Sequence, residues 1–238
     1  MVALSIALFA RPDAMTFLAQ AFVATAVLTL LYFLNDVYDC RNDLNDEGKD
    51  QSFVRFCVLH RARLFQIMAV EKAVTIALAL VLLGPRSAIA VVAVFVVNFV
   101  YSTVFKGRAF LDVPWACLWG ALYVLVTGVV VPFTVLALVG IMTSICHVFQ
   151  IRRDRHVDEV NRVNTSAVAA PWLATTQMAI ACIAMGLILG YHLGPFGAAS
   201  AATPLVLHLT MKNWLAWMLS KAYYAVVWLL VLGAVYGF

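Results

Sequence analysis

Charge is scarce in this chain. Only 12% of its 238 residues are Asp, Glu, Lys or Arg, while 64% are hydrophobic, and the mean hydropathy is +0.95. A soluble globular domain carries about 25% charged residues. That excludes a soluble fold and points to a polytopic membrane protein. The formal net charge is only +4, and the bases lie at the edges of apolar segments. No basic patch is left for nucleic acid, so that partner is excluded. Cysteine is sparse too. Cys40, Cys57, Cys117, Cys146 and Cys182 are odd in number and lack metal-ligand spacing. They read as small hydrophobes in a reduced protein, not as a disulfide framework. The opening run MVALSIALFARPD lacks the positive n-region and the small-residue cleavage site of a signal peptide. It reads as a short first membrane helix.

Apolar length is what the chain has in abundance. A membrane helix needs roughly 17–25 apolar residues. The pattern predicts helices over 1–12 (short), 14–34, 64–83, 87–105, 109–131, 133–151, 167–193, 196–211 and 214–237. That makes an all-α bundle of about nine transmembrane helices in a single domain, 1–238. Pro85, Pro132 and Pro195 fall between the segments, where proline punctuates. With alternating spans, one side of the bilayer holds Arg41, Lys49, Arg55, Arg61, Arg63, Lys106, Arg108, Arg152, Arg153, Arg155, Arg162 and Lys212. The other holds Arg11 and Arg86. The excess of Lys and Arg marks the first side as cytoplasmic.

The few acids are concentrated. Six of the twelve lie within 35-NDVYDCRNDLNDEGKD-50, directly after the uncharged AFVATAVLTLLYFL. Asp36, Asp39 and Asp43 are spaced by three and four, so they share a face if the helix continues through them, with Asn35 one turn below Asp39. Carboxylates on one face repel unless a cation compensates them. The second polar loop, 150-QIRRDRHVDEVNRVNTSAV-168, repeats the device with Asp154 and Asp158 one turn apart. Two such faces meeting at a membrane edge form an all-oxygen donor set. That set suits Mg²⁺ held between carboxylates and substrate phosphates. The twelve-residue EF-hand pattern for calcium is absent. Arg41, Lys49, Arg55, Lys106, Arg153 and Arg162 are candidate grips for phosphate oxygens. A diphosphate at the mouth of an apolar bundle implies a hydrocarbon tail within it. The chemistry that follows is ionisation of an allylic diphosphate.

The stretch 35-NDVYDCRND-43 resembles the NDxxDxxxD motif of the UbiA superfamily of intramembrane prenyltransferases. The stretch 154-DRHVDEVNRVNTSAV-168 is similar to that family's second aspartate motif, and 101-YSTVFKGRAFLDV-113 to its Tyr…Lys element. The resemblance covers nearly the whole chain. It implies a helical bundle around a central cavity. Asn35, Asp36, Asp39, Asp43, Asp154 and Asp158 would be the Mg²⁺–diphosphate ligands, with Tyr101 and Lys106 as active-site partners. It also implies an isoprenyl diphosphate substrate and a lipophilic, aromatic or quinone-like acceptor. The sequence departs from the family pattern in three places, one of them a Tyr101–Lys106 spacing one residue longer than in some members. LNDEGKDQSFVRF follows the first motif where many members are basic, and Arg162 stands where the second motif usually has glycine. Such departures favour a specialised member and keep terpene cyclisation as an alternative to prenyl transfer. A cation transporter is a remote third reading, because transporter sites tend to lie near the midplane.

Outside the motifs, Asp46, Glu47 and Asp50 read as solvated charges. Asp112 reads as a helix cap or a partner for Arg108, with ordering of the active site as the sharper alternative. Glu71 reads as paired with Lys72 or Lys221. His147 lies under the second motif, where it is either a packed neutral histidine or a general base. Trp115, Trp119 and Tyr123 follow i, i+4, i+8 spacing, which suits either bundle packing or a cavity wall. His192 and His208 are given no role.

Overall fold

A computed structural model describes Ala3, Ser5, Phe9, Ala10 and residues 12–237. The short helix expected over 1–12, and Arg11 with it, falls mostly outside them. Ten helices follow Asp13, and no strand occurs among the described residues beyond one isolated bridge, Arg108 to Asn164.

Helix α1, Ala14–Asp39, is started by the Asp13 side chain, which accepts from Thr16 N at 3.0 Å. Helix α2, Gln51–Leu83, is started by the Asp50 carboxylate, which accepts from Ser52 N at 2.9 Å. Gly84, at φ 86°, separates α2 from α3, Pro85–Val100, and a π turn, Tyr101–Phe105, extends α3. Helix α4, Asp112–Val124, is short and ends in a 3₁₀ turn at Leu125–Thr127. Helix α5, Phe133–Arg153, runs into the one-and-a-half-turn α6, Arg155–Val160, and then α7, Ser166–Ala169. Helix α8, Pro171–Ser200, breaks at Gly194, where φ is 73°. Helices α9, Thr203–Thr210, and α10, Asn213–Tyr236, complete the chain.

Six of the described helical segments are long and apolar enough to cross a membrane, against the nine expected. The difference has local causes. The segment predicted over 109–131 is helical only over Asp112–Thr127. The segments predicted at 167–193 and 196–211 are one apolar stretch folded back on itself: past Gly194, Ala198 and Ala201 pack over Gly190 and Gly186, and His208 reaches Thr175. Helix α2 begins thirteen residues before the predicted 64, because Asp50 caps it and Val54 and Cys57 bury one face of its first turns. At 33 residues it is roughly 50 Å long, more than the ~30 Å apolar core of a bilayer. Its first turns therefore stand over the mouth of the bundle.

Helices α4 and α5 approach closely. A Cβ on Gly120 would lie 2.1 Å from Thr143 Oγ1, and one on Gly140 would lie 2.6 Å from the Cys117 carbonyl oxygen. Small residues let helices touch backbone to side chain in this way, and the contact fixes two walls of the central cavity. The predicted pairing of Glu71 is not seen. Lys72 lies over the Phe95 ring and Lys221 over the Trp217 ring, and no ion pair among the described residues joins Glu71 to either.

Candidate active site

Helix α1 continues into the first motif as far as Asp39, so Asn35, Asp36 and Asp39 emerge from its end, but it stops before Asp43, which does not share that helical face. Arg61 on α2 holds that end, donating from Nε to Val37 O at 3.2 Å and from Nη2 to Tyr38 O at 3.3 Å while lying over the Tyr38 and Phe65 rings. A cation at the C-terminal carbonyls of a helix is favourable. Asp43 opens a 3₁₀ turn, Asp43–Asn45. Asp154 sits at the α5–α6 elbow and Asp158 lies on α6.

The two motifs are clasped together. Asn45 Nδ2 donates to Asn161 Oδ1 at 2.7 Å, and Asn161 Nδ2 donates to Asn42 O at 3.1 Å. The α3–α4 connection is stitched to the same region. Asp112 is fully buried and accepts from Ser166 N at 2.7 Å and Ser166 Oγ at 2.5 Å. Arg108 bridges Asn164 along the backbone. Asp112 is thus neither a partner for Arg108 nor a simple cap; it binds the segment after the second motif.

Two lysines occupy the centre of the carboxylates. Lys106 pairs with Asp39. Lys49 lies 3.5 Å from Asp36 Oδ1 and 3.6 Å from Asp43 Oδ2. The carboxylates are spread around these ammonium groups, and no three His, Cys, Asp or Glu side chains among the described residues converge as a metal site requires. Burial raises Asp43, with Asp39 and Asp36 adding to the effect and Lys49 opposing it. Burial, with the charges of Asp154 and Asp39, pushes Asp158 up to about 7 against the pull of Lys106. Thr165 Oγ1 donates to Asp158 at 3.4 Å.

The remaining predicted bases are placed differently. Arg153 forms a two-point pair with its neighbour Asp154, at 2.6 and 3.0 Å, and lies over the Trp217 ring. Arg41, Arg55 and Arg162 are exposed, and no ion pair among the described residues engages them. Arg162 adopts φ 57°, the left-handed backbone that glycine tolerates best.

Beneath the rim lies a cavity of about 140 Å³. Asn35, Tyr101 and His147 stand in its wall with Trp115 and Trp119. Asn35 Oδ1 accepts from Ser102 Oγ at 3.0 Å. Tyr123 is outside the wall; it stacks on Trp119 and donates to Ala24 O at 3.0 Å. Two of the three aromatics in the predicted stripe therefore line the cavity.

No family model and no curated protein matches the sequence. Two solved structures match the fold. Both are of a UbiA homologue from Archaeoglobus fulgidus. The structure bound to DMAPP and Mg²⁺ superposes with a TM-score of 0.74 at 13% identity, over 98% of this chain and 93% of that one. The structure bound to GPP and Mg²⁺ gives 0.67 at 14%, over 99% and 88%. The chain has the UbiA fold. Its long apolar helices mark it as a multi-pass membrane protein. In this UbiA fold α1, α3, α4 and α5 wall the cavity, and the clasp and the two lysines lie at the ends of α1, α3 and α6.

Sequence reasoning missed Arg61, the Asn45–Asn161 clasp and the Asp112–Ser166 tie. His208, given no role, is buried and hydrogen-bonded to Arg152 and Thr175. For His208 the only signal was a polar residue in an apolar context, and for the asparagines a polar residue among polar neighbours; neither names its partner.

Proposed function

We propose that the protein is a Mg²⁺-dependent intramembrane prenyltransferase. It binds an isoprenyl diphosphate at the clasped rim, ionises it, passes the prenyl group to a lipophilic aromatic acceptor and releases diphosphate. One observation carries this reading. Two aspartate elements more than a hundred residues apart are drawn together over an apolar, aromatic-walled cavity, in a fold shared with homologues that bind DMAPP or GPP with Mg²⁺.

The donors fit that metal. They are all oxygen, and the ammonium groups of Lys49 and Lys106 already hold positive charge among Asp36, Asp39 and Asp43, where a metal ion would take their place. Asn35, Asp36, Asp39, Asp43, Asp154 and Asp158 would hold Mg²⁺, which when bound supplies a Lewis acid for the leaving diphosphate. Lys49 and Lys106, released from the carboxylates, turn to the diphosphate oxygens. Arg41, Arg55, Arg153 and Arg162 add a positive field around the rim. The faces of Trp115 and Trp119 stabilise the allylic cation, and the apolar wall keeps water from it. The excess of Lys and Arg in the loops of this rim supports a cytoplasmic placement.

The test is incubation of the purified chain with Mg²⁺ and geranyl diphosphate, with and without a lipophilic phenol. Metal-dependent diphosphate release with a prenylated phenol is the expected result, lost at least ~100-fold in Asp36→Asn and Asp154→Asn. Retained turnover in either variant removes that carboxylate from the site. A cyclic hydrocarbon formed without any phenol replaces transfer by cyclisation.

A further inference from the structure

We propose that Tyr101 and His147 form the proton-accepting pair of this reaction, with Gln150 setting the imidazole tautomer; the inference rests on the prenyl-transfer reading. The polar groups of the cavity wall fall into two kinds. The Asn98 amide donates to Leu31 O, the Asn35 carbonyl accepts from Ser102, and the Thr143 hydroxyl donates to Val139 O. Each is tied to a backbone carbonyl or a neutral hydroxyl, and none of those partners takes up a proton at neutral pH.

Tyr101 is tied differently. Its hydroxyl lies 3.2 Å from His147 Nε2, with the two rings edge to face at 82°. The far side of the imidazole, Nδ1, lies 3.4 Å from Gln150 Oε1. A carboxamide oxygen only accepts, so Nδ1 carries the proton. That leaves the Nε2 lone pair to accept from the Tyr101 hydroxyl. The phenolic oxygen keeps its own lone pairs for a ligand in the cavity. Trp119, also in the wall, has a buried indole N–H without a protein partner, a donor left for an oxygen on the same ligand.

The step balances without a further reagent. The C1–O bond of the donor breaks, and its electron pair leaves with the diphosphate. A ring carbon of the acceptor bonds to C1. The acceptor hydroxyl passes its proton to the Tyr101 oxygen as the Tyr101 proton moves to His147 Nε2. His147 ends the step as imidazolium and the acceptor as a cyclohexadienone; the proton on the alkylated ring carbon then leaves with the diphosphate, and the His147 proton returns through Tyr101 to the oxygen, which restores the phenol.

The experiment uses the full chain in nanodiscs with Mg²⁺, geranyl diphosphate and 1-naphthol as the probe acceptor. His147→Gln keeps the side-chain volume and a hydrogen bond to Tyr101 but takes no proton; Tyr101→Phe removes the hydroxyl. Both variants are expected to transfer at least ~100-fold more slowly at neutral pH, the low end of general base catalysis. In His147→Gln the rate should recover as pH rises towards ~10 and the naphthol ionises by itself, as phenols do. A merely structural role gives no such rescue. Transfer by His147→Gln at the wild-type rate, a loss that alkaline pH does not restore, or donor binding without any naphthol product at any pH each overturns the relay. Calorimetry separates the two levels: absence of Mg²⁺-dependent geranyl diphosphate binding in the wild type defeats the prenyl-transfer reading itself.

Discussion

Lys49 is the residue whose replacement gives the sharpest outcome. It lies between Asp36 and Asp43 at 3.5 and 3.6 Å. At that separation two unit charges attract by about 1.2 kcal/mol in bulk water and by nearly 5 at an effective dielectric of 20. The side chains of Lys49 and Asp36 are 41% and 42% exposed and that of Asp43 15%, so solvent screening sets the scale at about 0.5–1 kcal/mol per pair, the Asp43 pair at the upper end. Bare Mg²⁺ taking these carboxylates has to displace both pairs, at a cost of about 1–2 kcal/mol. Lys49→Met removes that cost and should tighten bare Mg²⁺ binding about 5- to 30-fold, since 1.4 kcal/mol is tenfold. The same variant loses a charge-assisted contact to phosphate and should weaken Mg²⁺-dependent pyrophosphate binding about tenfold. Calorimetry with Mg²⁺ alone, and then with pyrophosphate at fixed Mg²⁺, reads both changes. The opposite signs are the point of the test. If both affinities fall, or neither moves, Lys49 does not stand between metal and diphosphate.

Three further outcomes follow from the geometry. Arg162→Gly relieves a left-handed residue and should raise stability by about 1 kcal/mol; it should also weaken geranyl diphosphate binding several-fold if the guanidinium serves the rim, both measured in detergent. Asp112→Ala leaves Ser166 N and Oγ without their buried acceptor and should cost about 2–4 kcal/mol in denaturant titration; a change under 0.5 would refute the tie. Asp158 has its folded pKa raised to about 7, so its ionised form disfavours the fold. Metal-free protein should therefore lose stability between about pH 4 and 7, with Mg²⁺ restoring it at pH 8. Asp158→Asn should flatten that profile in thermal melts.

Much of the fold was legible because bilayer length and apolar composition are written in the sequence. The motif aspartates were legible because spacing of three and four survives wherever a helix continues, as α1 does to Asp39. Two kinds of feature were not. One is a helix whose start depends on its own cap: with Asp50 read as a solvated charge, the first turns of α2 passed for loop. The other is pairing across the chain. Asn45 and Asn161 are 116 residues apart, and asparagines on polar loops have no periodicity that would pair them. His208 was passed over for the same reason, since Arg152 and Thr175 reach it from other helices.

The acidic stretch LNDEGKD shows how these limits combine. After Asp43 the chain has only seven residues before α2 begins, and four of their side chains are committed. Asn45 clasps the second motif, Asp46 Oδ1 accepts from Gly48 N at 2.9 Å to close a turn, and Asp50 caps α2. That turn carries Lys49 back onto Asp36 and Asp43. The acids that looked like surplus charge thus bend the backbone, and the base they deliver is the one in the carboxylate cluster. A longer or more basic loop would supply cations from more directions. Here the first motif is neutralised by Lys49 from its own loop and Lys106 from the α3–α4 connection, and this is why replacing either one should change metal and diphosphate affinity in opposite directions.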